Sequence, residues 1–425
     1  MSSMNIGLLG LGTVGGGVAA VLAKNGADIN RRAECDIRVK AALVLDETKK
    51  RAENVPVTTN PADILADKDV QIVAELMGGV EPARSYVLEA LRSKKSVVTA
   101  NKDLLALHAE EIFRVAAENG QDIYFEGAVA GGIPIIAAMR ASFTANDITS
   151  VTGIINGTTN YILTAMTEQG RDFAAVLHEA QELGYAESDP AADVEGLDAA
   201  RKLAILATLA FHTPVLFPDV YVEGITGITS ADIEYARELG RVIKLLAIAR
   251  KTEEGVEVRV HPALLPERHP LATVRDVFNA VYVEGDALGE SMFYGRGAGA
   301  LPTASAVLSD VIQAARNRNA GVQGRQGLGH DRRLPIKPVR DYRSSFYIRL
   351  KVKDEPRVFA SLALFFAEAD ISFASIIQKP RSGGNAEIAL VTHPCRESQF
   401  EQALSSVRAY SKLEKIYNTI RVLND

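Results

Sequence analysis

The first third of the chain alternates short apolar runs with segments of helical periodicity. Apolar runs of strand length predict strands at 6–9, 37–45, 70–77, 96–100 and 123–126. The intervening pattern predicts helices at 16–24, 82–93 and 105–119. Strands that alternate with helices favour a parallel, doubly wound sheet of the α/β class.

The last 80 or so residues show a different pattern. Their periodicity predicts strands at 346–352, 371–378, 386–393 and 415–423, with helices at 356–369 and 398–409. This βαββαβ order is that of the ferredoxin-like split motif. The Gly/Asn/Arg-rich stretch 317–333 and the Pro-containing stretch 334–343 predict a domain boundary. We therefore predict domains at 1–130, 131–334 and 345–425.

Composition narrows the class of protein. A length of 425 residues suggests two or three domains, and the 47% of apolar residues suffices for their cores. The net charge of −6, without a basic stripe, argues against nucleic acid or an anionic membrane as partner. The two distant cysteines, Cys35 and Cys395, argue against a disulfide scaffold or a zinc site. With no signal peptide and no apolar run of roughly 18 residues, a cytoplasmic location is expected.

A glycine-rich turn joins the first predicted strand to the first helix. Its sequence is Gly10-Leu11-Gly12-Thr13-Val14-Gly15. The first glycine permits the tight turn, the second permits close approach of a pyrophosphate, and the third permits helix–strand packing. The helix N-terminus then offers amide donors to the phosphates. A dinucleotide site is predicted at these residues.

The choice between NAD and NADP stays open. An acidic residue about 20 positions beyond the glycines normally binds the ribose hydroxyls. Here the acid is Asp46, placed later because the polar stretch 25–36 lengthens the connection. Asp46 favours NAD, whereas Lys49-Lys50-Arg51 offers cations for a 2′-phosphate or is simply a solvated charge run.

Two further features lie beyond predicted strands. Lys102 follows the strand 96–100, where ligands bind in such sheets, but it is equally compatible with a solvent-exposed helix start. The turn 125–134 combines Glu126 with closely spaced small residues. Such a turn can direct a carboxylate and backbone carbonyls at a hard monovalent cation. Alone, a glycine-rich turn is more often just a turn.

The middle of the chain carries Asp198 and Lys202 on a helix predicted from about 193 to 210, one turn apart. After Lys202 the helix is apolar, so partial desolvation of the ammonium is expected, which suits an acid/base exchanging a proton with a hydroxyl. Taken alone, the pair is better explained as an ordinary surface contact.

The motif series resembles that of the homoserine dehydrogenases over nearly the whole chain. The matching segments are, in order, 10–15, 98–102, 125–134, 153–163, 184–187 and 196–203. The NGTTNYIL and GLDAARKL sequences within them are the most specific. The resemblance implies reversible, NAD(P)-dependent oxidation of L-homoserine to L-aspartate 4-semialdehyde, on the route to threonine, methionine and isoleucine.

The resemblance also implies roles for individual residues. Lys202 would donate and accept the proton, and Lys102 would lie near substrate and nicotinamide. The substrate's ammonium and hydroxyl groups would be held by Glu187 and Asp198, supported by Asp193. Glu126, with the carbonyls of Val129, Gly131 and Ile133, would match a site for Na⁺ or K⁺.

More of the cofactor site follows from the same resemblance. Gly184 would line the cofactor, together with a second glycine-rich loop that contains Gly297 and Gly299. This loop would rejoin the nucleotide domain over about 295–330, leaving 131–334 as the catalytic and dimerisation domain. Many relatives carry an arginine where Leu45 stands, which weakens any NADP preference.

Other enzymes and a non-enzyme remain as alternatives. Semialdehyde dehydrogenases need a nucleophilic cysteine. Cys35 is expected in an inserted loop and Cys395 in the C-terminal module, so neither is expected near the site. A non-catalytic amino-acid sensor would not need Lys102, Glu187, Asp198 and Lys202 together. A different amino-acid alcohol dehydrogenase on the same scaffold is the second alternative.

The C-terminal module resembles an ACT domain, which binds amino acids at dimer interfaces; a purely structural appendage is the alternative. The resemblance implies a homo-oligomer, dimer or tetramer, with L-threonine as the candidate effector. Arg357 stands where the family's effector loop usually has glycine. A long cation there can block the pocket or pair with the effector's carboxylate. We therefore expect this module to serve chiefly in oligomerisation, with weak or absent threonine inhibition.

Overall fold

The computed structural model describes residues 2–49, 51, 54–325, 327, 332–381 and 383–423. Lys50 and part of the predicted boundary 317–333 lie outside these ranges. Within them the strands are β1 (Ser2–Leu9), β2 (Cys35–Leu43), β3 (Val57–Thr58), β4 (Ile72–Glu75), β5 (Ser96–Thr99), β6 (Ile123–Tyr124), β7 (Ile148–Ile154), β8 (Tyr221–Val222), β9 (Arg241–Thr252), β10 (Gly255–Pro266), β11 (Phe278–Gly285), β12 (Gly289–Arg296), β13 (Arg343–Lys353), β14 (Phe373–Arg381), β15 (Asn385–Thr392), β16 (Cys395–Arg396) and β17 (Leu413–Val422).

The helices alternate with these strands in the first part of the chain. They are α1 (Thr13–Ala33), α2 (Ala62–Leu65), α3 (Ala83–Arg92), α4 (Lys102–Asn119), α5 (Ile135–Ala137), α6 (Gly157–Gln169), α7 (Phe173–Glu182), α8 (Ala191–Val194), α9 (Leu197–Phe211), α10 (Ser230–Glu238), α11 (Ala300–Asn319), α12 (Val358–Glu368) and α13 (Glu397–Arg408). No helix in the described ranges is long and apolar enough to cross a bilayer.

The chain folds into two compact units. The first comprises residues 1–151, 201–220 and 279–334; the second comprises residues 152–200, 221–278 and 335–425. The divisions fall within β7 and α9, and one falls at residue 334, inside the predicted boundary region. The predicted three-domain division stays a prediction.

The first unit is built on a parallel sheet with strand order β3-β2-β1-β4-β5-β6. This is the order of a dinucleotide-binding fold, and it confirms the predicted doubly wound sheet. The order reverses between β1 and β4, so the turn after β1 lies at the point where such sheets bind ligands. Helices α1 and α11 pack together there, and a Cβ on Gly17 would lie 2.6 Å from the Ala300 carbonyl oxygen.

The prediction of an inserted loop before β2 is wrong. Helix α1 continues to Ala33 because Ile29 and Ala33 extend its buried stripe, and Gly26 is tolerated within it. Cys35 is the first residue of β2 and fully buried. The polar stretch is therefore the exposed face of a long helix.

The second unit contains the strands β9-β10-β17-β13-β15-β14 as successive neighbours. The elements from β13 to β17 have the predicted βαββαβ order, with the short β16 added before α13. Their core includes Phe346 stacked on Phe400, with ring centroids 3.8 Å apart. Strand β17 also pairs with β10 through Ala263 and Leu264, so these elements share one sheet with β9 and β10.

Candidate active site

The glycine-rich turn of the first unit has the geometry that a pyrophosphate requires. Gly10 has φ +107°, and a Cβ there would lie 2.8 Å from the Leu76 carbonyl oxygen. A Cβ on Gly15 would lie 2.2 Å from the Gly10 carbonyl oxygen. At Gly12, by contrast, a Cβ would meet open space at the start of α1. The turn is thus tight on the protein side and open toward a ligand.

A groove of about 550 Å³ adjoins this turn and is lined in part by Leu45, Asp46 and Arg51. Leu45 is fully exposed. Hydrogen bonds from the hydroxyl and amide of Thr48, with the nearby Arg51, lower the pKa of Asp46. Arg51 also donates to the Asp46 carbonyl oxygen at 2.8 Å. An anion for ribose hydroxyls and a cation for a phosphate are therefore adjacent, and the groove suits either nucleotide.

Lys102 is the first residue of α4, directly after β5. The preceding Asn101 caps the helix by accepting from the Leu104 amide at 3.1 Å. Asn101 Nδ2 donates to the Gly79 carbonyl at 2.6 Å, while Thr99 donates to the buried Glu75 at 2.7 Å. Burial raises the pKa of Glu75. The backbone that presents Lys102 is therefore held by a buried polar network.

The first unit brings the start of α4 against α9. Asp103 Oδ1 lies 3.2 Å from Arg201 Nε, and Asp103 Oδ2 lies 3.9 Å from Lys102 Nζ. The Arg201 guanidinium also covers the Phe217 ring, 4.9 Å from its centroid. Since Lys202 follows Arg201, this ion pair links the helix start that carries Lys102 to the helix that carries Lys202. Lys202 itself is partly exposed.

In the second unit the predicted acids Asp193 and Asp198 share a hydrogen-bond donor. Asn156 Nδ2 lies 2.6 Å from Asp193 Oδ1 and 2.9 Å from Asp198 Oδ2. The continuous helix expected here is wrong, because Gly196, with φ +84°, ends α8 before α9 begins. A side chain at Gly196 would lie 3.1 Å from Val222, so the break is also a close packing point.

Glu187 and Gly184 lie in an exposed loop between α7 and α8. This loop is attached to the start of α6, where the Thr158 hydroxyl donates to the Tyr185 carbonyl at 2.7 Å. The Tyr185 ring contacts the Tyr161 ring edge-on at 5.0 Å. The roles predicted for Glu187 and Gly184 stay predictions.

The turn that contains Glu126 packs against the second glycine-rich loop of the first unit. Gly131 has φ +47°, and a Cβ there would lie 2.4 Å from the Gly297 carbonyl oxygen. The Gly132 amide donates to the Arg296 carbonyl at 3.0 Å. Gly299, with φ +122°, then leads into α11. The turn predicted to bind a cation and the loop predicted to bind the cofactor are thus in close backbone contact.

The Glu126 carboxylate is buried and accepts the amides of Ile136 and Ala137 at 2.8 and 2.7 Å. Its own amide donates to Asp310 at 2.8 Å. Burial raises the pKa of Glu126 and raises that of Asp310 to about 8. In the described part of the chain, no three His, Cys, Asp or Glu side chains cluster as a metal site. A cation here would therefore depend on Glu126 with backbone carbonyls.

Several residues of these networks were not predicted. Asp103, Arg201, Glu75 and Asp310 act through partners far along the chain, which periodicity does not reveal. Asn156 had a local signal, since an amide before a helix favours an N-cap. No local sequence signal indicated its contacts with Asp193 and Asp198.

Comparisons with known proteins assign most of this chain to two family models. Residues 10–126 match the family model "Homoserine dehydrogenase, NAD binding domain", and residues 134–312 match "Homoserine dehydrogenase". A homoserine dehydrogenase of Bacillus subtilis is 44% identical, with 99% of each chain covered. The crystal structure of one from Thiobacillus denitrificans superimposes with a TM-score of 0.96 at 44% identity, covering 100% of this chain and 99% of that one. A hyperthermophilic archaeal homoserine dehydrogenase in complex with NADPH matches 73% of this chain and 97% of its own, at 27% identity and a TM-score of 0.63.

The dinucleotide fold with its open glycine turn, together with the match to the NAD-binding family model, defines an NAD(P)-dependent oxidoreductase. Relatives at such identity over the full length narrow this to one reaction. The chain belongs to the homoserine dehydrogenase family, and this activity is favoured over the sensor and over another amino-acid alcohol dehydrogenase.

Proposed function

We propose that Lys202 is the proton acceptor and donor in the interconversion of L-homoserine and L-aspartate 4-semialdehyde. The observation that carries this assignment is the Asp103–Arg201 ion pair, which joins α9 to the helix start at Lys102. In the oxidation, Lys202 as the neutral amine takes the proton of the substrate hydroxyl, and the carbonyl forms as the carbon loses hydride. A bound oxidised nicotinamide would be the acceptor of that hydride. In the reverse direction the Lys202 ammonium protonates the alkoxide oxygen.

Lys102 is proposed as the second active-site lysine. As the first residue of α4 it lies beyond the carboxyl end of β5, where ligands bind in this fold. Its ammonium would stabilise negative charge on the substrate oxygen as the proton moves. The ion pair between Asp103 and Arg201 supports a fixed position for it.

Binding of the substrate's ammonium and hydroxyl groups is assigned to acidic residues of the second unit. Asp198 and Glu187 are proposed to bind the ammonium and hydroxyl ends of homoserine, with Asp193 in support. The convergence of Asp193 and Asp198 on one amide supports this role, because two carboxylates together favour a bound cation.

For the nucleotide, Gly10, Gly12, Thr13, Val14 and Gly15 would hold the pyrophosphate. Lys102, Gly184, Gly297 and Gly299 would complete the site. NAD and NADP are both proposed as cofactors, since Asp46 and Arg51 are adjacent. Absorbance of reduced nicotinamide after addition of homoserine, with each nucleotide in turn, tests both activity and preference. No reduction with either nucleotide would overturn the assignment.

A monovalent cation, Na⁺ or K⁺, is proposed at Glu126 with the carbonyls of Val129, Gly131 and Ile133. The buried carboxylate supports this, because a bound cation would offset the cost of its burial. The positive φ of Gly131 supports a turn that can place successive carbonyls around an ion.

The elements β13 to β17 are proposed to form an ACT domain that contributes to a homo-oligomer, a dimer or tetramer. Arg357 precedes α12 with φ +73°, a conformation that favours glycine. This supports the view that a glycine-type effector loop has been altered, so that L-threonine inhibits weakly or not at all. A cytoplasmic location is proposed as well, since Cys35 and Cys395 are free thiols.

A further inference from the structure

We propose that Asn156 is a positioning residue for catalysis, whose amide sets the orientation of the two carboxylates Asp193 and Asp198. The inference rests on the proposed role of these acids in binding homoserine. Asn156 is 5% exposed and lies between β7 and α6. It belongs to the NGTTNYIL segment, to which no role was assigned above.

The orientation of the Asn156 amide is fixed by its own helix. Its Oδ1 accepts the Thr159 amide at 2.9 Å, as the N-cap of α6. The Thr159 hydroxyl lies 3.0 Å from the same oxygen. Because a backbone amide can only donate, the oxygen must face α6. The NH₂ group must then face the acids.

Both hydrogens of that NH₂ group are used. One is directed to Asp193 Oδ1 at 2.6 Å and the other to Asp198 Oδ2 at 2.9 Å. Asp193 lies on α8 and Asp198 on α9, with the Gly196 break between them. A single neutral donor therefore ties together two carboxylates that would otherwise repel each other and that sit on separate helical segments.

The residue type supports a role beyond helix capping. Serine, aspartate and asparagine all cap helices well. Only asparagine among them accepts from the helix and donates two hydrogen bonds to acids at the same time. Aspartate at this position would add a third carboxylate within hydrogen-bond distance of the other two.

The test uses two variants of the full-length enzyme that keep the cap. Asn156→Ser removes both donors, and Asn156→Asp also adds the charge. We expect Asn156→Ser to lower kcat/KM for homoserine about 10- to 100-fold, the range for lost hydrogen bonds to charged groups, mainly through KM. Asn156→Asp should lose more. Nucleotide affinity should be unchanged in both, while Asn156→Ala, which also loses the cap, should show the larger drop in Tm.

A double-mutant cycle separates positioning from a purely structural role. If Asn156 acts through Asp198, adding Asn156→Ser to Asp198→Asn should cost far less than it does alone. Wild-type kinetics in folded Asn156→Ser and Asn156→Asp would overturn the inference, as would additive losses in cycles with both acids. Unchanged kinetics in Asp198→Asn would instead overturn the proposed role of that acid. Should Asn156→Ser fail to fold, Asn156→Asp decides by the same criteria.

Discussion

Asp103 on α4 and Arg201 on α9 form an ion pair 3.2 Å long in the first unit. Each is the sequence neighbour of a lysine assigned to the chemistry, Lys102 in one case and Lys202 in the other. Asp103 also lies 3.9 Å from Lys102 Nζ, so one carboxylate faces two cations. The ion pair thus links the start of α4, which carries Lys102, to α9, which carries Lys202.

Replacing Lys202 by alanine should abolish most turnover, because the variant lacks the proposed acceptor of the substrate's hydroxyl proton. We expect kcat to fall by about 10²–10⁴-fold, as is typical when an acid/base group is removed. Nucleotide binding, measured by fluorescence titration, should persist. The exposed Lys68 offers a matched control, and Lys68→Ala should behave as wild type. Full turnover in Lys202→Ala would rule out the assignment.

The amide variants Asp198→Asn and Glu187→Gln should raise KM for homoserine or lower kcat/KM, since each removes a charge that binds substrate. Steady-state kinetics with saturating nucleotide measures this. Glu182→Gln, an exposed carboxylate on the preceding helix α7, is the control. If both site variants retain wild-type kinetics while folded, Asp198 and Lys202 form only an ordinary helix pair.

Activity or thermal stability should depend on the identity of the monovalent cation. Assays in Na⁺, K⁺ and a bulky organic cation at constant ionic strength test this, because constant strength holds general screening equal. Glu126→Gln should flatten any difference between the cations. Identical activity and thermal unfolding curves in all three salts would contradict the proposed cation site.

Arg357→Gly should restore an opening in the loop before α12. The left-handed conformation costs an arginine about 1–2 kcal/mol, and glycine loses about 0.5–1 kcal/mol through its freer unfolded state. The free energy of unfolding should therefore change little. A threonine titration should show weak or no inhibition of the wild type and stronger inhibition of the variant.

Strong inhibition of the wild type would show that Arg357 does not disable the effector site. The point variant is preferable to deleting residues 345–425, because β17 pairs with β10 within the same unit.

The buried Lys244 should make stability depend on pH. It donates to the Val274 carbonyl at 2.6 Å and to Asn160 at 2.9 Å, and burial lowers its pKa to about 8. In the unfolded chain the pKa of Lys244 is about 10.4. Between pH 8 and that value, the unfolded chain therefore binds more protons than the folded protein. Burial of the Lys244 charge therefore lowers the free energy of unfolding by its full amount below pH 8. The free energy of unfolding rises as pH increases through this window.

Relative to Lys244→Met, the wild type should gain up to about 3 kcal/mol in free energy of unfolding across that window. Urea unfolding of both proteins from pH 7 to 10 measures the difference, in which other titrating groups cancel. A difference that stays constant with pH would show that Lys244 titrates normally.

The sequence predicted the parallel sheet and the βαββαβ elements because their periodicity is local. The turn at Gly10 follows β1 as predicted, and Asp193 and Asp198 share a hydrogen-bond donor, while the roles predicted for them stay predictions. The sequence misjudged the stretch before Cys35, where a polar helix face resembles a loop, and the helix at Gly196, where a single left-handed residue decides the break. Contacts such as those of Asn156 and Asp103 depend on tertiary packing, for which one sequence carries no local signal.

The pairing of β17 with β10 sets the order in which the second unit can be completed during synthesis on the ribosome. Ala263 and Leu264 of β10 find their partners in Arg421 and Val422, and Val256 pairs with Ile336. All three partners emerge from the ribosome long after the β9–β10 hairpin. Until then, backbone N–H and C=O groups along part of the β10 edge have no partner strand. Such an edge can pair with a wrong strand. The sheet of this unit can therefore be completed only after Val422 has been synthesised.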